Sequence, residues 1–189
     1  KSGQIALLPG SRHQEVHRML LPMLNAARAQ IRAHGGRAVA AAVDGAYEYE
    51  KVCADFRDDG ISVAYDNSRQ VIAESDFVVT ASGTATLETG IIARPMVIIY
   101  KTGAITYQIA RRVITLDKIG LVNLVLGERV VPELIQHQAT PEAIESELGR
   151  YHADAEYCRQ VHRRLLEVPS KLGGNGASDR AAEQIGRYL

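Results

Sequence analysis

The sequence predicts an α/β protein, an open and doubly wound parallel sheet covered by helices on both faces. Short apolar runs recur along the first half of the chain, and stretches with helical spacing of apolar residues alternate with them. Glycine turns close two of these runs, Pro9-Gly10-Ser11 and Ser82-Gly83-Thr84, at the carboxyl ends of the strands, where such sheets bind ligands. At 189 residues the chain is long enough for one domain with a sizeable core, burying about 70% of its unfolded surface.

Residues Gln4–Leu8 read as a buried first strand. After the Pro9-Gly10-Ser11 break, Val16, Met19, Leu20, Leu24, Ala27 and Ile31 recur at helical spacing, with Pro22 marking a kink or a junction of two helices. Gly35-Gly36 ends this unit. A second strand is expected over 38–43, a helix over 46–56, a third strand over Ile61–Tyr65 and a short helix over Ser68–Glu74. The fourth strand covers 76–81, its helix 84–93, and the fifth strand 95–100, with Pro95 at a first position that tolerates the missing N–H. Beyond Tyr100 come a helix over 105–116, an irregular stretch over 120–124 and the run 130–136. A charged helical region follows over 141–166, with an interruption near Gly149; 169–176 read as a linker and 178–189 as a closing helix capped by Ser178.

The chemistry gathers at the two turns. In Ser82-Gly83-Thr84-Ala85-Thr86-Leu87-Glu88 a glycine among hydroxyl residues exposes backbone N–H groups at the positive end of a helix, a setting that favours phosphate. Glu88 lies one turn further in, and because helical side chains tilt toward the N-terminus it is placed to accept hydrogen bonds from a diol. Phosphate plus ribose points to a nucleotide. Arg12 follows the first turn near a helix start, where a cation opposes the dipole unless an anion lies between them. Read locally, Ser11 would instead cap that helix through its Ser-x-x-Gln spacing to Gln14.

Composition excludes other classes. Lys plus Arg number 22 and so do Asp plus Glu, so no overall field draws the chain to nucleic acid. Cys53 and Cys158 lack CxxC spacing and fit free thiols of a cytoplasmic protein. His13 and His17 are four apart, but a zinc helix needs Glu immediately after the first His and a further ligand, so no metal site is expected. No P-loop spacing occurs, and Gly173-Gly174-Asn175-Gly176 follows no strand. The start at Lys1-Ser2-Gly3, without Met and already near a strand, reads as a piece of a larger protein.

Taken together, the motifs resemble the nucleotide-binding half of bacterial lipid-A-disaccharide synthase, an inverting glycosyltransferase of the GT-B fold. The matching residues are Leu8-Pro9-Gly10-Ser11-Arg12 with Glu15-Val16, then 81–88, Pro95-Met96-Val97, Tyr100-Lys101, Asn123-Leu124, Val131 through Gln136 and Ala177 through Ala182. They run in order along nearly the whole chain, with a departure at Val122, where the family usually has proline. The resemblance implies a Rossmann-like, UDP-sugar-binding domain over 1–170 and a linker with closing helix over 171–189. An N-terminal acceptor domain, absent from this chain, would supply the general base.

The implied reaction moves 2,3-diacylglucosamine from UDP to 2,3-diacylglucosamine 1-phosphate with release of UDP, in lipid A biosynthesis. No metal or other cofactor is implied. Arg12 would meet the charge growing on departing UDP, the Ser82, Gly83, Thr84, Ala85 and Thr86 turn would hold the diphosphate, and Glu88 the ribose. Gly10 and Ser11 would line the same site, with uracil near Tyr65 and Asp66. Asn123, carried as catalytic, and Glu133 and Gln136, carried as donor-binding, come from the resemblance without an assigned role. The same resemblance brings in contact with the inner membrane, the protein's own N-terminal domain as partner, and a homodimer. Two other readings share the motifs: another GT-B protein, such as an N-acetylglucosaminyltransferase or a UDP-N-acetylglucosamine 2-epimerase, and a non-catalytic UDP-binding module.

Overall fold

The computed structural model describes residues 2–103, 118–173 and 176–187. Six strands form one parallel sheet: β1 (Gln4–Leu8), β2 (Arg37–Ala42), β3 (Ile61–Tyr65), β4 (Phe77–Ala81), β5 (Met96–Tyr100) and β6 (Glu133–Ile135). Their order is β3-β2-β1-β4-β5-β6, so the direction in which successive strands are added along the parallel sheet reverses between β1 and β4. This is the doubly wound order, and the reversal opens a crevice at the carboxyl edge. Strands β1 and β4 lie at the centre and are buried along their whole length, which is why they read as continuous apolar runs rather than alternating ones.

Helix α1 (His13–His34) covers one face together with α6 (Pro141–Ala153). The other face carries α3 (Ser68–Glu74) and α4 (Thr84–Ile91), against which α5 (Leu121–Leu126) and α8 (Val168–Lys171) pack. Right-handed crossovers require this division, because β1 to β2 and β4 to β5 step in opposite directions along the sheet. Gln30 Nε2 on α1 donates to the Glu145 carbonyl on α6 at 2.8 Å, and the buried Tyr151 hydroxyl donates to the Met96 carbonyl at 2.9 Å, fastening α6 to α1 and to β5. The remaining helices are α2 (Tyr49–Cys53), α7 (Ala155–Leu165) and α9 (Ala177–Gly186).

Several boundaries differ from expectation for physical reasons. Pro22 divides nothing: α1 is one helix, because Met19, Leu20, Met23 and Leu24 on both sides of it are buried in the core. The helix expected over 46–56 begins only at Tyr49, since a turn holds the Ala46 N–H on the Val43 carbonyl, and it ends in a 3₁₀ turn, Ala54–Phe56. The stretch 120–124, expected to be irregular, enters α5, with Val122 buried inside it. The charged helical region breaks at Asp154 rather than Gly149, because the Asp154 carboxylate accepts the Tyr157 N–H at 2.9 Å and starts α7. Part of the expected linker is α8, and α9 starts after Gly176, so Ser178 lies within its first turn instead of capping it. The helix expected over 105–116 lies outside the described residues.

Candidate functional site

The crevice between β1 and β4 holds a cleft of about 580 Å³. From the β1 side it is lined by Gly10, Ser11, Arg12 and Glu15, and from the β4 side by Ser82, Gly83, Thr84, Ala85 and Glu88. The ends of β2 and β3 add Ala41, Ala42, Val43, Asp66 and Ser68. Two turns 72 residues apart in sequence, taking Gly10 and Ser82 as reference, therefore face one another only because β4 inserts beside β1.

The first turn is shaped by Gly10, whose φ of +107° suits glycine, and a Cβ there would stand 2.7 Å from Glu15 Oε2. Arg12 is the residue that precedes α1, and Ser11 makes no cap, so the local capping alternative is not what the turn adopts. The Arg12 side chain is 81% exposed and its Nη1 donates to Glu15 Oε1 at 2.8 Å. That hydrogen bond and the carboxylate's charge hold the guanidinium pKa above its ordinary value. Beneath the turn, the buried Tyr49 hydroxyl donates to the Gly10 carbonyl at 3.4 Å, and burial pushes its pKa up to about 12.

The second turn presents backbone. Ser82 Oγ donates to the Ile119 carbonyl at 2.9 Å, and Thr86, fully buried, donates to the Gly83 carbonyl at 2.8 Å. Both hydroxyls are thus engaged inside the protein. A Cβ at Gly83 would meet nothing within 4 Å, which leaves that side of the turn open toward the cleft. Thr84 is exposed and Glu88 half-buried at the cleft wall. At the far end, Asp66 takes a φ of +50°, an unusual conformation that aspartate tolerates, with its N–H on the Ala42 carbonyl at 3.0 Å.

Comparison with known proteins assigns this arrangement to a family. The model of the family described as lipid-A-disaccharide synthetase matches residues 1–185. The chain belongs to that family. Lipid-A-disaccharide synthase from Myxococcus xanthus is 36% identical over 183 residues, covering 96% of this chain and 48% of that protein. The enzyme from Trichlorobacter lovleyi is 38% identical over 189 residues, covering 94% and 47%. The chain thus spans about half the length of these curated relatives. Among solved structures, CalG4, the calicheamicin glycosyltransferase, superposes with a TM-score of 0.61 at 19% identity, over 98% of this chain and 42% of that one. UDP-GlcNAc 2-epimerase from Neisseria meningitidis, bound to UDP-GlcNAc, superposes at 0.62 with 10% identity, over 97% and 44%. These likenesses show the Rossmann-like half of a GT-B fold.

Of the site residues singled out from the sequence, Gly10, Ser11, Arg12, Asp66, Ser82, Gly83, Thr84, Ala85 and Glu88 come together at the cleft. Tyr65 does not line it; its ring lies edge-on to Tyr49, centroids 6.4 Å apart. Asn123 and Glu133 lie elsewhere, buried in one network. Glu133 accepts the Ile119 N–H, the Gly120 N–H and the Asn123 amide, each at 2.8 to 2.9 Å. Asn123 Oδ1 in turn accepts from the Val130 and Val131 N–H groups. Gly120 has no room for a side chain, since a Cβ would fall 2.3 Å from Ile98 Cδ1. Gln136 Oε1 accepts the Thr102 N–H at 3.4 Å, and its Nε2 is buried without a partner among the described residues.

Sequence reasoning named Glu15 in the family motif without assigning it to the site, and missed Ser68 and the Tyr49 support. The three-residue interval from Arg12 to Glu15 on one helix was the available signal for the first of these. The paired histidines His13 and His17 pack with Tyr47, whose hydroxyl lies 3.1 Å from His17 Nδ1. No group of three or more His, Cys, Asp or Glu among the described residues is arranged to hold a metal.

Proposed function

We propose that this chain is the donor-binding domain of a lipid-A-disaccharide synthase, which transfers 2,3-diacylglucosamine from UDP to 2,3-diacylglucosamine 1-phosphate and releases UDP. The observation that carries this reading is the meeting of the two turns at the β1/β4 reversal in a chain of this family. The diphosphate lies between the open N–H groups of the Gly83–Ala85 turn and the Arg12 guanidinium, and Glu88 accepts from the ribose hydroxyls. Uracil points toward Asp66.

Breaking the anomeric bond leaves negative charge on the departing diphosphate. Donors already fixed in position stabilise that charge more in the transition state than in the ground state. Asn123 and Glu133 contribute through the backbone: they hold Ile119 and Gly120, and the Ile119 carbonyl holds Ser82. The acceptor and the general base that activates its hydroxyl belong to the other half of the protein. The lipid substrates place the whole enzyme at the cytoplasmic surface of the inner membrane; among the described residues no helix is long and apolar enough to cross it.

Calorimetric titration with UDP, with ADP as control, tests the nucleotide reading. UDP is expected to bind and ADP not, and Arg12→Ala and Glu88→Ala each to weaken UDP by about 1.5 to 3 kcal/mol, the range for hydrogen bonds involving charged groups. Equal binding of UDP and ADP, or indifference to both substitutions, would sink it.

A further inference from the structure

A carboxylate stands at the spot where the proposed ligand brings its phosphates. Among the described residues lining the cleft, Arg12 is the one permanent cation, set against the carboxylates of Glu15, Asp66 and Glu88. Nor is Arg12 idle. One Glu15 oxygen accepts its Nη1 at 2.8 Å, and the other lies over Gly10, 2.7 Å from where a Cβ would be. The carboxylate therefore bridges the arginine and the glycine turn, the two features that make this edge a place for an anion. It fits only because Gly10 has no side chain. The two side chains are 81% and 33% exposed, and ion pairs open to solvent in this way contribute little to stability. A diphosphate offers the same guanidinium more charge and more oxygens, while the displaced Glu15 is free to turn to solvent.

We propose that Glu15 is a built-in counter-ion for Arg12, displaced by the donor's diphosphate and restored when the diphosphate leaves. This inference rests on the nucleotide reading above and deepens it. Glu15 keeps Arg12 neutralised in the empty cleft and competes directly with bound product, lowering the affinity for UDP after transfer. A residue that merely oriented Arg12 would have the opposite effect, and one that merely complemented the α1 dipole would act equally with or without Arg12.

The test is calorimetric titration of the chain with UDP and, separately, with inorganic pyrophosphate, using wild type, Glu15→Gln, Arg12→Ala and the double variant. Glu15→Gln is expected to bind both anions about three- to ten-fold more tightly, since it removes a competing charge and leaves the arginine. In the Arg12→Ala background the same change should gain nothing. Weaker binding by Glu15→Gln would make Glu15 a strut for Arg12 and overturn the exchange. An equal gain in both backgrounds would reduce Glu15 to a diffuse negative charge and also overturn it. If Glu15→Gln tightens pyrophosphate but UDP binds no better than pyrophosphate, the exchange stands and the nucleotide reading fails. Selective UDP binding that ignores Glu15→Gln has the reverse meaning, and no binding of either anion to any variant overturns both.

Discussion

In the turn after β1, the polar side chains meet at the surface: Arg12 is exposed and, among the described residues, paired with Glu15, three residues on. In the turn after β4, two of them face inward: Ser82 is tied to the Ile119 carbonyl and Thr86 to the Gly83 carbonyl, so the cleft side is left to backbone N–H groups and the exposed Thr84. On the reading proposed above, the first turn is a charge that rearranges on binding, and the second is a scaffold fixed before any ligand arrives. The difference follows from what lies behind each. Behind the β4 turn stands the buried Glu133 and Asn123 network; behind the β1 turn, among the described residues, stands a long hydrogen bond from Tyr49. A site built this way divides labour, with preorganised dipoles on one wall and an adaptable cation on the other.

The contrast breaks most visibly at Glu133. Glu133→Ala leaves the Ile119 and Gly120 N–H groups and the Asn123 amide without their acceptor, and is expected to cost about 2 to 5 kcal/mol in urea unfolding. A loss below about 0.5 kcal/mol would show that the β4 turn is not held from behind.

Ser82→Ala sharpens the contrast further. It should lower stability by about 1 kcal/mol and weaken UDP several-fold, although its hydroxyl is engaged with Ile119. Arg12→Ala, the counterpart on the other wall, should leave stability within about 0.5 kcal/mol while affinity falls. Equal stability losses at the two positions would erase the distinction.

The last effect concerns pH. Burial pushes Cys53 up from its ordinary 9.0 to about 11, and Tyr49 from 10.0 to about 12. A pKa raised in the folded state contributes stability below the unfolded value, and that contribution is lost as pH rises through the folded one. The thermal midpoint should therefore fall between about pH 9 and pH 12, and Cys53→Ala should delay the onset by about one pH unit. A midpoint unchanged across that window would contradict the burial of both groups.

Much of the fold was legible because its signals are local. The β1 and β4 runs, the Ile61–Tyr65 strand and the Ser68–Glu74 helix depend on apolar period and turn residues within a few positions. Pro22 misled because local breaking tendency was outweighed by core packing on both sides of it. The irregular reading of 120–124 failed for a related reason: the entry to α5 is stabilised by a carboxylate thirteen residues away from Gly120, which no local window contains. Asn123 and Glu133 could be picked out by resemblance, yet nothing in their neighbourhood in sequence revealed that they face inward and hold the backbone.

Sequence alone determined the class of this protein: alternating strands and helices, two glycine turns at the same sheet edge, and an ordered set of motifs that names a family. The tertiary structure alone decided which polar groups are free for a ligand. Ser82 and Thr86 are equally plausible phosphate binders on paper, but a carbonyl 37 residues from Ser82 and one three residues from Thr86 take their hydroxyls. The three-residue spacing from Arg12 to Glu15 allows a pair on paper, but only the folded turn shows the same carboxylate also lying over Gly10. Backbone propensity acts over a few residues, whereas the satisfaction of a donor or a charge depends on whatever the fold brings within about 3 Å.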